Sequence, residues 1–333
     1  MLPPALKIHT SLSGLDVRAD SLVKTGWASR TRSGYASAVK RFLKFTTAFN
    51  LDPFPLDEQV LLRYIAYLDI QGLAPATVRN YLAAIRAWYI SLGLKEPLIW
   101  TPRVHLACRA LTRTHPPPRQ VSPISFPILS SMVRLLSPSR DHVIIASALS
   151  LQFFACLRAS ELCSDLTQAL VPTRSDVQFN TRGQSPIMLY SCSASKTSVH
   201  GFKVHVGCSG APLCAVCIMH HYINTFPALP SDPLFAFSSG QHLTYEVYNS
   251  WIKYLVRGVG LDPSNYSSHS VRAGAATQAA QAGLGSDSIK RLGRWRSQAY
   301  AVYLRPPPES YAAFAPRLVP SSSSHASYSH HSS

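Results

Sequence analysis

The chain is poor in acidic residues. Asp and Glu number 16 against 32 Lys and Arg in 333 residues, a formal net charge of +16, with a pI near 9.8. Such a balance disfavours a cationic partner and favours a polyanion, either nucleic acid or an anionic membrane surface. Long apolar runs are also missing: none reaches the length that spans a bilayer, and the amino terminus does not read as a secretory signal. A membrane partner is therefore set aside, and an intracellular location is expected. Cysteines are few and odd in number, seven in all. Cys108, Cys156 and Cys163 lie in apolar helical contexts, which suits reduced thiols and excludes a disulfide framework. A Walker-type Gly-rich loop and a His-Glu-x-x-His helix are both lacking, so nothing points to P-loop nucleotide chemistry or to a zinc hydrolase.

What is present divides into segments. The length suggests two domains, and a hydrophobic fraction of 46% is enough for real cores. Residues 1–115 hold 15 Lys and Arg against 7 Asp and Glu, and the remainder 17 against 9, so each part carries the same excess of +8. A basic tail would load one end; two basic domains suit a clamp closing on a duplex. Residues 1–17 read as irregular. Over 18–114 the apolar spacing predicts a helical bundle: 29–49 with Tyr35, Val39, Phe42 and Phe49 on one face, 57–71 with Val60, Leu61, Ile65 and Leu68, 75–93 with Val78, Leu82, Ile85 and Tyr89, and a shorter helix over 103–113. The proline-rich stretch 115–123 cannot be helix interior and reads as a linker. A second domain is expected over 124–318. Its segment 141–157 is apolar nearly all round, a buried helix. Strand character follows at 176–179, 186–190 and 199–206, and helices resume after about 212. The Ser/His-rich stretch 319–333 reads as a disordered tail.

Five stretches carry potential chemistry: Leu157-Arg158-Ala159-Ser160-Glu161, Ser195-Lys196-Thr197, His269-Ser270-Val271-Arg272, Leu292-Gly293-Arg294-Trp295, and Tyr300-Ala301-Val302-Tyr303. Each alone has an ordinary reading. A tyrosine, one of fifteen, is most often a packing residue. An arginine in a basic chain is usually solvated, a Ser-Lys-Thr turn is a polar turn, and a tryptophan is core. Together they supply what phosphodiester transfer requires: a nucleophile, planar cations for the charge on the non-bridging oxygens, and a proton for the leaving oxygen. Cys208, Cys214 and Cys217 with His220 and His221 include a Cys-x-x-Cys. Their spacing matches no recognised zinc finger, and Cys214 to Cys217 reads as the opening of a helix, so no metal is expected.

In type and order these residues resemble the tyrosine recombinase (phage integrase) superfamily. The resemblance covers most of the chain and looks closest to eukaryotic mobile-element recombinases of the DIRS and Crypton kinds. It implies a mainly α fold with a small antiparallel β-sheet, an N-terminal helical core-binding bundle and a mixed α+β catalytic domain. Tyr303 would be the nucleophile, giving a 3′-phosphotyrosyl link and a free 5′ hydroxyl. Arg158 and Arg272 would hold the phosphate, with Glu161 supporting the site. Lys196 would be the general acid, His269 would assist at Tyr303, and Trp295 would pack beneath the phosphate or donate its indole N–H. No cofactor is implied. The partner would be double-stranded DNA, bound by a homotetramer on two duplexes, and the expected compartment the nucleus. Lys40, Arg41, Lys44, Arg79 and Arg86 are candidate DNA contacts from the bundle. Trp295 to Tyr303 is one position shorter than in many bacterial members, which leaves Tyr300 as a rival nucleophile. A catalytically silent DNA-binding protein of the same fold and a type IB topoisomerase remain alternative readings.

Overall fold

In the computed structural model the chain forms two compact units, residues 1–119 and 120–333. It describes residues 11–94, 99–117, 120–165, 171–180, 186–193 and 201–304, with the backbone alone at Arg30, Ala299 and Tyr303. Among the described residues no helix is long and apolar enough to cross a membrane.

Among its described residues the first unit holds five helices, α1 (Leu12–Thr25), α2 (Ser29–Ala48), α3 (Glu58–Ile70), α4 (Pro75–Ser91) and α5 (Pro102–Thr114), of which α2 to α5 pack as a bundle. Starts are set by local chemistry. Asp57 accepts the amide of Gln59 ahead of α3, Thr101 accepts that of Val104 ahead of α5, and prolines open α4 and α5, where no amide is needed. Phe42, Phe45, Tyr64, Leu68, Leu82 and Ile85 fill the core. Each such side chain stabilises the fold by about 1.5–3 kcal/mol when buried. Two expectations change. The stretch 1–17 is not irregular throughout, because α1 starts at Leu12, capped by Ser11. That helix buries no residue: Leu12, Leu15, Leu22 and Val23, which share one face, all stay exposed. Phe49 lies just past α2 and is 58% exposed; Phe45, one turn earlier, takes the core position beside Phe42.

The second unit holds α6 (Phe126–Arg134), α7 (Arg140–Phe154), β1 (Val177–Asn180), β2 (Ile187–Cys192), β3 (Phe202–Gly207), α8 (Ala215–Thr225), α9 (Tyr245–Gly258), α10 (Ser268–Gln281) and α11 (Ser286–Gly293), then a 3-10 turn over Gln298–Tyr303. The sheet is antiparallel in the order β1-β2-β3, with Phe179 opposite Met188 and Leu189 opposite His205. This is the mainly helical fold with one small sheet that the sequence predicts. In α7 the ten residues from Ile144 to Phe153 are all buried, as a helix apolar nearly all round must be, with Ser147, Ser150 and Gln152 carried inside among them. Its one amide, Gln152, is fully satisfied: it donates to Leu157 O and Ser268 O and accepts from the Tyr248 hydroxyl at 2.7 Å. That network ties α7, α9 and α10 together and fixes the two chain segments that meet at the site. Small residues let α10 sit deep. A Cβ on Gly274 would lie 1.8 Å from the carbonyl oxygen of Ile124.

Candidate active site

The site begins where α7 stops. Helix geometry ends at Phe154, and Cys156 turns the chain with φ +48°. That left-handed conformation costs about 1–2 kcal/mol away from glycine, and it is held by what it exposes. The Cys156 carbonyl accepts from Arg272 Nη1 at 2.8 Å and from Arg294 Nη2 at 3.2 Å. Arg158 follows in extended conformation, and a 3-10 turn over Ala159–Glu161 brings the Glu161 carboxylate back onto it. Oε2 accepts the Arg158 amide at 2.9 Å and Oε1 accepts Arg158 Nη1 at 2.7 Å. The spacing of three between Arg158 and Glu161 is therefore a reciprocal cap as well as an ion pair.

Glu161 is buried, and three cations surround it. Besides Arg158, Arg294 Nη2 reaches Oε2 at 3.0 Å and Arg272 Nη1 stands 3.9 Å away. Tyr190, buried on β2, donates its hydroxyl to the Glu161 carbonyl at 2.6 Å and anchors the turn to the sheet. Arg272 comes from α10. Its Nη2 donates to the carbonyl of Gly293, and its guanidinium lies 4.4 Å from the centre of the Trp295 ring. Gly293 allows this stacking, since a Cβ there would fall 1.7 Å from the Trp295 ring. Arg294 adopts φ +55° at the end of α11, which turns its side chain onto Ala155, Cys156 and Glu161 and over the Phe202 ring.

Three guanidinium groups around one carboxylate leave a surplus of positive charge. Burial is the main reason the Arg272 pKa is drawn down to about 10, and the cations of Arg158 and Arg294 push the same way. An anion placed here would relieve that repulsion. The arginines differ in access: the Arg158 side chain is 19% exposed and that of Arg272 is 3%.

The structure thus brings Arg158, Glu161, Arg272 and Trp295 together from segments more than a hundred residues apart. Arg294 joins them, a site residue that the sequence patterns do not mark. His269 lies on the first turn of α10, one turn before Arg272, and is exposed. Tyr300 is buried: its hydroxyl pairs with Ser286 Oγ and its ring packs against Trp295, centroids 6.0 Å apart. Tyr303 ends the 3-10 turn. Lys196 and the stretch 319–333 lie outside the described residues. In the first unit, Lys40 and Lys44 are exposed on the rim of a groove of about 850 Å³ that Trp27, Tyr35 and Trp88 help to line. Arg86 is also exposed and Arg41 is half-buried. Arg79 is held by α5, donating to Thr112 Oγ1 at 2.8 Å and to the Cys108 carbonyl.

No protein-family model and no curated protein matches the chain. Solved structures do match its fold. The Tn1549 transposon integrase in complex with circular intermediate DNA superposes with a TM-score of 0.60 at 16% identity, over 90% of this chain and 97% of that one. The XerH site-specific recombinase bound to difH substrate gives 0.59 at 14%, over 92% and 84%. A lambda integrase dimer bound to a COC′ core site gives 0.58 at 14%, over 89% and 96%. The chain shares the fold of these recombinases and integrases along nearly its whole length.

Proposed function

We propose that the chain is a site-specific DNA recombinase that cuts and rejoins duplex DNA through a 3′-phosphotyrosyl link. The observation that carries this is the buried Glu161 carboxylate gathering Arg158, Arg272 and Arg294 into one cationic cluster, with the Arg272 guanidinium against the Trp295 ring. A core ion pair serving stability alone would balance its charges; this one keeps two positive charges in surplus, of which a scissile phosphodiester would neutralise one and the charge that develops in its transition state the other.

In the proposed reaction the Tyr303 oxygen attacks phosphorus and the bond to the 5′ oxygen breaks. Charge that builds on the non-bridging oxygens falls to Arg158, the more accessible guanidinium, and to the field of Arg272 and Arg294. His269 takes the phenol proton and Lys196 supplies one to the leaving oxygen. A 5′ hydroxyl from a second duplex reverses the step. The phosphotyrosyl bond retains the energy of the one that broke, so no nucleotide hydrolysis is needed. Tyr303 is preferred to Tyr300 because Tyr300 is 5% exposed with its hydroxyl already engaged. Four subunits would act on two duplexes, with Lys40, Arg41, Lys44, Arg79 and Arg86 contributing backbone contacts. Arg79 does so less freely, because α5 already holds it.

The test is a suicide duplex carrying the cognate site, incubated with the protein without added metal or ATP and resolved on a denaturing gel. A covalent adduct is expected, lost in Tyr303→Phe while DNA binding survives. An adduct that persists in Tyr303→Phe and disappears in Tyr300→Phe would reassign the nucleophile. DNA binding with no adduct at the cognate site would make the chain a silent DNA-binding protein. Relaxation of supercoiled plasmid by a monomer would make it a topoisomerase.

A further inference from the structure

Four of the seven cysteines, Cys108, Cys156, Cys163 and Cys192, are buried within the cores. The other three converge. Cys208 directly follows β3, its amide donating to the Pro186 carbonyl at 2.9 Å. Cys214 immediately precedes α8, and Cys217 lies on that helix's first turn. Cys208 Sγ stands 3.6 Å from Cys214 Sγ and 3.6 Å from Cys217 Sγ, and all three sulfurs lie within 4.8 Å of one another.

Packing does not account for this. A free cysteine that behaves as a small hydrophobe goes inside, yet Cys217 is exposed and Cys208 half-buried. A disulfide does not account for it either, since it joins two sulfurs at about 2.0 Å and leaves the third unexplained. The spacing is that of thiolates sharing a metal: two ligands at about 2.3 Å from a tetrahedral centre lie roughly 3.8 Å apart. The backbone also favours a thiolate, because the Ser209 amide donates to Cys214 Sγ at 3.3 Å.

We propose that Cys208, Cys214 and Cys217 bind a zinc ion, with water in the fourth position on the exposed side beside Cys217. The two nearby histidines are engaged elsewhere: His220 packs edge-on against Phe179 and hydrogen-bonds Asn224, and His221 pairs with Thr225. Sequence spacing sets zinc aside because Cys208 is six positions before Cys214 and fits no finger pattern. Folding brings it back by laying the end of β3 against the start of α8. The ion would staple the sheet to α8, which packs along α7, the helix that leads into Arg158.

The full chain purified under reducing conditions without chelator is expected to carry one zinc per chain by elemental analysis. Replacing zinc with cobalt(II) should give a thiolate-to-metal charge-transfer band, which histidine ligation does not produce. Cys217→Ser, at an exposed position, should keep the circular dichroism spectrum and lose the band and the metal; Cys108→Ala should keep both. Three free thiols with no band on adding cobalt(II) would overturn the proposal. So would a disulfide mapped between Cys208 and Cys214 or Cys217, or zinc that departs with residues 319–333 and not with Cys217→Ser.

Discussion

Glu161→Gln tests the electrostatic logic of the site most directly. The wild-type carboxylate accepts three hydrogen bonds from cationic residues and is itself fully buried. Glutamine keeps the volume and one acceptor oxygen, and it turns an N–H toward a guanidinium. Removing one partner of a buried ion pair costs about 3–5 kcal/mol, because the remaining charge is left without compensation. Arg158 and Arg294 keep 19% and 18% of their side-chain exposure, so water takes up part of the released charge. The lower end, about 3 kcal/mol, is therefore expected. For a unit the size of residues 120–333, that lowers its melting temperature by roughly 6–12 °C. The assay is calorimetry of the full chain at low and high NaCl. Salt should recover little of the loss, since the pair is shielded from the ionic atmosphere. Arg294→Met alone should cost less, about 1.5–3 kcal/mol, because Glu161 keeps Arg158, and the double variant should be non-additive. A loss below about 1 kcal/mol in Glu161→Gln, or full recovery in salt, would refute the view that this carboxylate holds the cations in place.

Gly293→Ala puts a methyl group into the Trp295 ring, so it should destabilise by about 1–3 kcal/mol and abolish adduct formation, read by calorimetry and the suicide duplex together. Tyr300→Phe removes the hydroxyl pair with Ser286 and should cost about 1 kcal/mol while leaving the adduct in place. If Lys40 and Lys44 touch phosphate, the double alanine variant should weaken DNA binding equally on all sequences. It should also flatten the dependence of log K on log salt by about 0.9 for each phosphate that is no longer neutralised. A variant with an unchanged slope would remove these residues from the interface. Stripping zinc from the protein should lower the melting temperature of the second unit and leave that of the first unchanged.

Much of the fold is legible because its helices bury one face and expose the other. Val60, Leu61, Ile65 and Leu68 in α3, and Val78, Leu82, Ile85 and Tyr89 in α4, are all in the core. The largely apolar run in α7 is legible for the opposite reason, since a helix without a charged face has nowhere to go but inside. Where a helix buries nothing, no core face supports its reading. Helix α1 buries nothing, and its start depends on one hydrogen bond from the Gly14 amide to Ser11 Oγ. At Phe49 the periodicity runs past the point where the helix stops, and a residue in phase with the core is left outside it. The three-cysteine cluster depends on β3 and α8 meeting, a tertiary arrangement that no spacing rule encodes.

The site divides along the same line. Arg158, Glu161 and Arg272 stand in recognisable local patterns, and folding brings their side chains into contact. Arg294 is hidden in the sequence because propensity argues against what it does. A helix end that turns left-handed is usually glycine, and Gly293 is there to take the part. Instead Gly293 closes α11 in contact with the Trp295 ring, where any side chain would collide, and Arg294 takes the left-handed position one residue later. Its place can be read only from the groups it reaches, the carbonyls of Ala155 and Cys156 and the carboxylate of Glu161. These lie more than 130 residues earlier in the chain. A glycine whose purpose is to let an aromatic ring approach looks, in sequence, the same as one whose purpose is to turn the chain. Here the difference between the two decides which arginine faces the carboxylate.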